Sequence, residues 1–402
     1  MTRRSERGAT LVLAVVGMLA LIAMAGLALD TAHVLLNKSR LQNALDAAAL
    51  AGAKSLALSA STATATTDAG TNFALNVAQY PELQRANVSL KTEFSTTLNP
   101  FTPGAAGPYV RATITGFTTQ MSLVAVLGIN SMNVAGSAVA GPSPALTTAC
   151  DIVPVVMCAT PAAGPPLYGY TANQVVGLNQ TAGNAGTIGP GNYGLLALGG
   201  NGANIVRNNL AGSYSSCASI GNSVPTEPGV AAGPVSDGIN TRFNQYKAGL
   251  TAAQYPPDII NSAAHQTSPS LQGTGLSVTY NGQPATASNI NFSYSNYTAL
   301  QQAGSYDTQP LPGGTAAFGR RILAVPLGDC TGLAHGSSNV AINGFACVFL
   351  LQQLGLGANA SIIYGQIISG CGATGQVGPA PGPGALGPFK IELYKSAGSA
   401  DS

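Results

Sequence analysis

At 402 residues the chain has room for two or three domains. Apolar residues make up 46% and charged residues only 7%, against about 25% in an ordinary soluble domain, which excludes a charge-solvated disordered polymer and permits a sizeable core. The net charge is +2, and the 16 Lys and Arg are scattered except at the N-terminus, so no nucleic-acid surface is written in the chain.

The first element is apolar. Thr10 to Leu29 carries no charge. A helix of that length spans about 30 Å, the hydrocarbon thickness of a bilayer. Arg3, Arg4 and Arg7 precede it, and the next charges are Asp30, Lys38 and Arg40. That asymmetry predicts an N-terminus in the cytoplasm and the bulk of the chain outside. A seven-residue pattern then continues without a breaker through Leu27, Val34, Leu41, Ala48 and Ser55, with Leu45 and Leu56 beside it. It predicts one helix with a single apolar stripe, a membrane span over 10–29 running into a stem over 30–58. Two other readings stay open. Ala23-Met24-Ala25 before Gly26 has the form of a signal cleavage site, although the apolar run is longer than the usual signal core. Gly8 is placed as in a prepilin, but the fifth residue after it is Leu13, where processing wants Glu.

The segment Arg7-Gly8-Ala9, Gly26, Asp30, Leu41-Gln42-Asn43-Ala44, Asp46-Ala47-Ala48-Ala49-Leu50-Ala51 and Gly52-Ala53 resembles the N-terminal segment of TadE/TadG-like proteins of Flp (tight adherence, Tad) pilus systems. The resemblance covers about fifty residues and implies an uncleaved inner-membrane anchor. A face of Ala and Gly lets another backbone approach closely. Leu41, Asn43, Ala44, Asp46, Ala48, Ala51 and Gly52 are therefore the candidate contacts to a partner, whether another pilus-machine protein or a further copy of the chain. The same small residues would equally pack beneath the helix's own domain.

Between 59 and 140 helix and strand signals alternate. "DAGTNFALNVAQY" has helical spacing closed by Pro81, "NVSLKTEFS" and "PYVRATITGFTTQ" alternate as strands, "MSLVAVLGI" is a short apolar helix, and "MNVAGSAVAG" is a strand. These predict a small α+β unit. Residues 141–149, with Gly141-Pro142-Ser143-Pro144, read as a linker. Beyond it come Cys150, Cys158, Cys217, Cys330, Cys347 and Cys371, an even number on the side predicted to be oxidising, which suggests three disulfides in any of fifteen pairings. Continuous apolar runs such as "RRILAVPLGD" and "NVAINGFACVFLLQ" predict buried strands, so 150–402 reads as a β-rich periplasmic domain, with a loop insertion near 250–315. Helices are predicted at "NGANIVRNNLAG" and "SDGINTRFNQYKAGL", the second capped by Ser236. The whole is an α+β chain.

This second region also resembles the periplasmic part of some TadG-related proteins, through Gly191-Asn192-Tyr193-Gly194-Leu195, Pro225-Thr226-Glu227-Pro228-Gly229, Arg321-Ile322-Leu323-Ala324-Val325-Pro326-Leu327 and Gly344-Phe345-Ala346. The Asp-x-Ser-x-Ser metal motif of the von Willebrand factor A domain found in longer TadG proteins is absent.

Catalytic signals are weak. His33, His265 and His335 are the only histidines, and Ser337 and Ser338 follow the last without a Gly-x-Ser-x-Gly elbow. Gly355-Leu356-Gly357-Ala358-Asn359-Ala360 leads toward a strand-like run and reads as a turn, not a dinucleotide fingerprint. Short Cys-x-x-Cys pairs are missing, so no zinc site is expected. Glu227, Asp237, Arg242, Arg320, Arg321 and Asp329 read as ion pairs that fix loops, or as a carboxylate pair of a glycosidase. The resemblance therefore implies a non-enzymatic Tad/Flp assembly component without cofactor, bound to lipid through 10–29. A minor pilin and an anchored periplasmic carbohydrate-binding or hydrolytic protein are the alternatives.

Overall fold

The computed structural model describes residues 6–58, 61–85, 88–178, 192–212, 214–229, 231–272, 277–331, 333, 336–355, 362–377 and 386–395. The chain forms two compact units. The first takes Met1–Leu56, Thr62–Gly141 and Glu392–Ser402, and the second takes Ala57–Ser61 and Pro142–Ile391.

The first unit is built on α1 (Glu6–Ala57). No proline occurs before Pro81, so nothing in the sequence interrupts the i to i−4 ladder. At 1.5 Å per residue this helix is about 78 Å long. Its buried stripe recurs at Asp30, Val34, Asn37, Leu41, Ala44, Leu45, Ala48, Ala49, Ala53 and Ser55. Leu27 departs from the expected stripe and is exposed, because the unit closes over Gly26 on a neighbouring face. Helix α2 (Thr62–Val77) buries Ala65, Ala69 and Phe73. Pro81 opens α3 (Pro81–Arg85), where its missing N–H costs nothing, instead of closing α2. Strands β1 (Lys91–Ser95), β2 (Tyr109–Gln120) and β3 (Ser131–Pro142) pair antiparallel, with Phe94 opposite Val110 and Val110 opposite Ala140. Strand Ile391–Tyr394 completes the order at the edge beside β3. The "FKIELYK" strand thus lies in the first unit's sheet.

The second unit centres on a seven-stranded sheet. Strand Asn339–Leu350 pairs antiparallel with Ile322–Asp329 on one side and Tyr364–Ile368 on the other, and with Ser223–Pro228 along its first residues. Ile322–Asp329 also pairs parallel with Met157–Ala159. The apolar runs are buried on both faces. Leu323, Val325, Leu327, Ala346, Val348 and Leu350 pack with helices Ala203–Gly212 and Ala232–Asn240, whereas Cys347, Phe349, Leu351 and Tyr364 pack with Ile259, Ile260, Ile290, Phe292 and Tyr297. Ile259, Ile260, Ile290, Phe292 and Tyr297 thus bring the expected insertion into the core. Helix Tyr294–Gln302 within them starts at a capping box made by Ser293 and Asn296. Helix Ala232–Asn240 begins before Ser236, with Ala231 at its N-cap.

Three disulfides join Cys150 to Cys217, Cys158 to Cys330 and Cys347 to Cys371. Cys150 and Cys217 are direct cross-strand neighbours, and Cys158 and Cys330 tie together the ends of a parallel strand pair. By loop entropy, the bridge of sequence separation 172 constrains the unfolded chain by about 5 kcal/mol and the one of separation 24 by about 3 kcal/mol. Paired Cys→Ser variants should lower the melting temperature of the second unit most for Cys158/Cys330 and least for Cys347/Cys371. Differential scanning calorimetry of the oxidised variants checks that ranking.

Candidate functional site

The functional element is α1, which meets two environments. From Leu11 to Leu29 its large apolar side chains remain exposed, Leu19 and Ile22 at 61% each. Among the described residues it is the helix long and apolar enough to cross a membrane. An exposed apolar surface of this extent marks a membrane or protein contact.

At the outer end of that run the first unit grips the helix. The Asp30 carboxylate accepts backbone N–H bonds from Ser122 (3.3 Å), Leu123 (2.9 Å) and Val124 (2.7 Å). These bonds, that of Val124 foremost, hold Asp30 below the ordinary aspartate range. One turn earlier Leu123 packs on Gly26, where a Cβ would stand 2.9 Å from that of Leu123. Further out, Glu82 of α3 accepts from Asn37 Nδ2 at 2.8 Å and lies 2.8 Å from His33 Nε2. The Asn37 bond leads in holding Glu82 below its usual range. Arg40 lies over the Tyr80 ring at 4.7 Å. Gln42 donates to the Ser137 carbonyl at 3.1 Å.

The small-residue face carries α2 and the sheet. Gly52 lies where a Cβ would be 3.1 Å from Val110 Cγ1 and 3.4 Å from the Ala65 carbonyl and Ala69 Cβ. Gly136 of β3 likewise gives way to Leu45, whose Cδ1 would be 2.9 Å from an added Cβ. Of the sequence-predicted contacts, Leu41, Ala44, Ala48 and Gly52 are buried inside this unit, Asp46 and Ala51 are half-buried, and Asn43 is exposed. Leu36 and Leu50 stand seven residues either side of Asn43, the first exposed and the second half-buried. The signal for the Asp30 clamp was its place as the first charge after the span. Its three acceptor bonds, ninety residues away in sequence, carried no local signature.

The second unit holds the rare charges. Arg321 is fully buried and donates to the carbonyls of Leu350 (2.8 and 3.0 Å), Ile260 (3.1 Å) and His265 (2.8 Å), enclosed by Phe243, Phe292 and Phe349. Burial pulls its guanidinium down to about 10. Arg242 donates to the carbonyls of Leu210 and Arg320, and Arg320 to those of Pro256 and Ala211. Asp258 lies among them, accepting from the Arg321 and Ile260 amides and the Tyr297 hydroxyl. The expected ion pairs are thus mainly arginine-to-carbonyl bonds. Glu227 accepts the Gly202 amide at 2.9 and 3.0 Å, Asp329 accepts from Thr331, and Asp237 is half-buried on its helix.

Ser262, His265 and Asp307 do meet, at 3.1 and 2.9 Å, but both partners address the same nitrogen, Nδ1. A relay from carboxylate through imidazole to a nucleophile uses both nitrogens. Burial tends to raise the Asp307 carboxyl, yet the bonds from His265 and the Ser262 amide prevail and lower it, as befits an anchor for the 261–265 loop. Among the described residues no group of three or more His, Cys, Asp or Glu gathers as a metal site. His335 and the run 356–360 of the glycine turn lie outside the described residues.

Two consequences are measurable. Gly52→Val forces a side chain against Val110 and the Ala65 carbonyl and should destabilise the first unit by about 1–3 kcal/mol. Gly17→Val, with nothing within 4 Å, should not, and chemical denaturation in detergent compares them. Asp30, Glu82 and Glu93, the last gripped by Lys91 and Arg111, all have lowered carboxyl pKa values. Their contribution is present above the unfolded-state value of about 4 and is lost as pH falls through the lowered folded values. Protection of the 122–124 amides, relative to unstructured amides at the same pH, should therefore fall below about pH 4, and Asp30→Asn should show that loss already at neutral pH.

Residues 8–55 match the TadE/G-like Flp pilus-assembly family. No curated protein and no solved structure gives a significant match to the chain. The matched residues coincide with α1, from its apolar run through the Asp30 clamp to Gly52, so the similarity to TadE/G-like Flp pilus-assembly proteins lies on this helix.

Proposed function

We propose that this chain is a non-enzymatic assembly component of a Tad/Flp pilus machine, anchored in the inner membrane by residues 10–29 with both folded units in the periplasm. The observation that carries the reading is the TadE/G-like match over 8–55, on a helix that is bare and apolar where lipid would surround it and packed where its unit begins. Arg3, Arg4 and Arg7 before the span set the orientation by the positive-inside rule. Three disulfides suit an oxidising compartment. The role is mechanical. The span fixes the protein in the membrane, and the outward stripe Leu36, Asn43 and Leu50, with Asp46 and Ala51 beside it, contacts other machine proteins or a second copy. A polar Asn within an apolar stripe of seven-residue spacing favours one register of such a pairing. Leu41, Ala44, Ala48 and Gly52 act on that contact through the rigidity they give the helix.

The test is the intact non-reducing mass of native protein, taken separately from inner membranes and from sheared surface fibres. The expected result is the unprocessed chain, six hydrogens light for three disulfides, in the membranes. A form beginning at Ala9 in the fibres would make it a pilin, and a soluble form beginning at Gly26 would make it a secreted protein.

A further inference from the structure

The turn between β2 and β3 lies at an unusual depth. Residues 121–132, Met-Ser-Leu-Val-Ala-Val-Leu-Gly-Ile-Asn-Ser-Met, carry no charge. They expose Leu123, Ile129 and Met132 at 49%, 51% and 50%. Leu123 seats on Gly26, and Gly26 lies inside the apolar run, three residues before its last member Leu29. Three residues of helix are about 4.5 Å, so the Leu123 contact stands at the shallow edge of the zone of about 5–10 Å that interfacial elements occupy. Irregular backbone at that depth is tolerable only when its polar groups are satisfied. Here the amides of 121–124 and 128 have partners. Asp30 takes the amides of 122–124, the Gly128 amide donates to Ala125 at 3.0 Å, and the Met121 amide to Asn130 at 2.9 Å. A carboxylate would be costly so near hydrocarbon, and the same three bonds compensate it.

We propose that residues 121–132 are a second membrane contact, in which the tip of the β2–β3 hairpin inserts Leu123, Ile129 and Met132 into the periplasmic leaflet beside the span. Its occupant is the headgroup–acyl boundary of a phospholipid bilayer. This inference rests on residues 10–29 spanning that bilayer, since the contact with Gly26 is what sets the depth of the tip. The consequence is a two-point attachment. A lone helix tilts and rotates in a bilayer, whereas a helix clamped to an inserted hairpin keeps one face of its stem in a fixed direction.

The chain contains no tryptophan, so a single Trp reports only its own position. Ile129→Trp and Met132→Trp place it on the tip at side chains that are already exposed, leaving the Gly26 contact intact. Leu19→Trp reports on the span. Leu75→Trp, exposed on α2 between Ala69, which packs at Gly52, and Tyr80, which packs at Arg40, reports on the body more than ten helix residues beyond Leu29. The full chain is reconstituted in phosphatidylcholine vesicles, without bromine, with lipid brominated near the headgroup end of its chains to read the tip, and with lipid brominated near the chain ends to read Leu19→Trp. The expected result is blue-shifted emission and about twofold quenching for both tip reporters, deep quenching for Leu19→Trp and none for Leu75→Trp. Water-like, unquenched tip reporters beside a quenched Leu19→Trp would overturn the insertion and leave the tip as a surface for protein. An unquenched Leu19→Trp would overturn the anchor itself.

Discussion

The first unit depends on one constraint, that a single unbroken helix is bare and apolar at one end and serves as a domain core at the other. The Asp30 clamp marks the change between the two. Inside it, α1 presents apolar side chains in all directions, as a lipid-facing helix does. Outside it, burial follows one stripe from Val34 to Ser55, and the opposite face mixes Leu35, Leu36 and Leu50 with polar and small residues. A buried carboxylate at this boundary is stable because three backbone amides converge on it. The same bonds tie the far end of the β2–β3 hairpin to the helix. Glu82, gripped by Asn37 and His33, repeats the device one turn further out. Polar contacts therefore set where the body begins along the helix, and Leu41, Leu45 and the alanines set how closely it packs.

The second unit solves a different problem, which is to hold long loops with very few charges. Its arginines are buried as crosslinks. Arg321 alone reaches the carbonyls of Leu350, Ile260 and His265, joining two segments far apart in sequence. A planar guanidinium with five donors can satisfy several loop carbonyls at once, and the aromatic rings around it add cation–π attraction. Asp258 supplies the compensating charge, and burial raises its carboxyl despite the bonds it accepts. Loops fastened by such bonds and three disulfides need little helix or strand of their own.

What could be read from sequence was what repeats locally. The stripe Val34, Leu41, Ala48 and Ser55 lies within one helix, and the strands of Tyr109–Gln120 and Asn339–Leu350 announce themselves by alternation or by unbroken apolar runs. Pairing between distant segments left no such trace. Ile391–Tyr394 completes a sheet whose other strands end 250 residues earlier, and nothing in "FKIELYK" says which sheet it joins. Residues 250–315 looked like an insertion because Ile259, Ile260, Ile290 and Phe292 follow no period, yet they cover one face of the central sheet. The arginines suggested carboxylate partners because charges usually seek opposite charges. Their acceptors are carbonyls, which every residue carries and no sequence pattern marks.

The small residues of α1 bear on what a shared TadE/G-like segment means physically. Within 8–55, Gly26 accommodates Leu123, Asp30 receives the hairpin amides, Leu45 fits against Gly136, and Gly52 makes room for Val110 and α2. Each of these is a joint between the helix and its own unit. Such a helix is shaped to a particular sheet and cannot be exchanged as a bare anchor. Replacing Gly52 or Gly26 would displace the body before it disturbed the span. The segment is thus half exposed apolar run and half domain core, and its small residues answer to the second role.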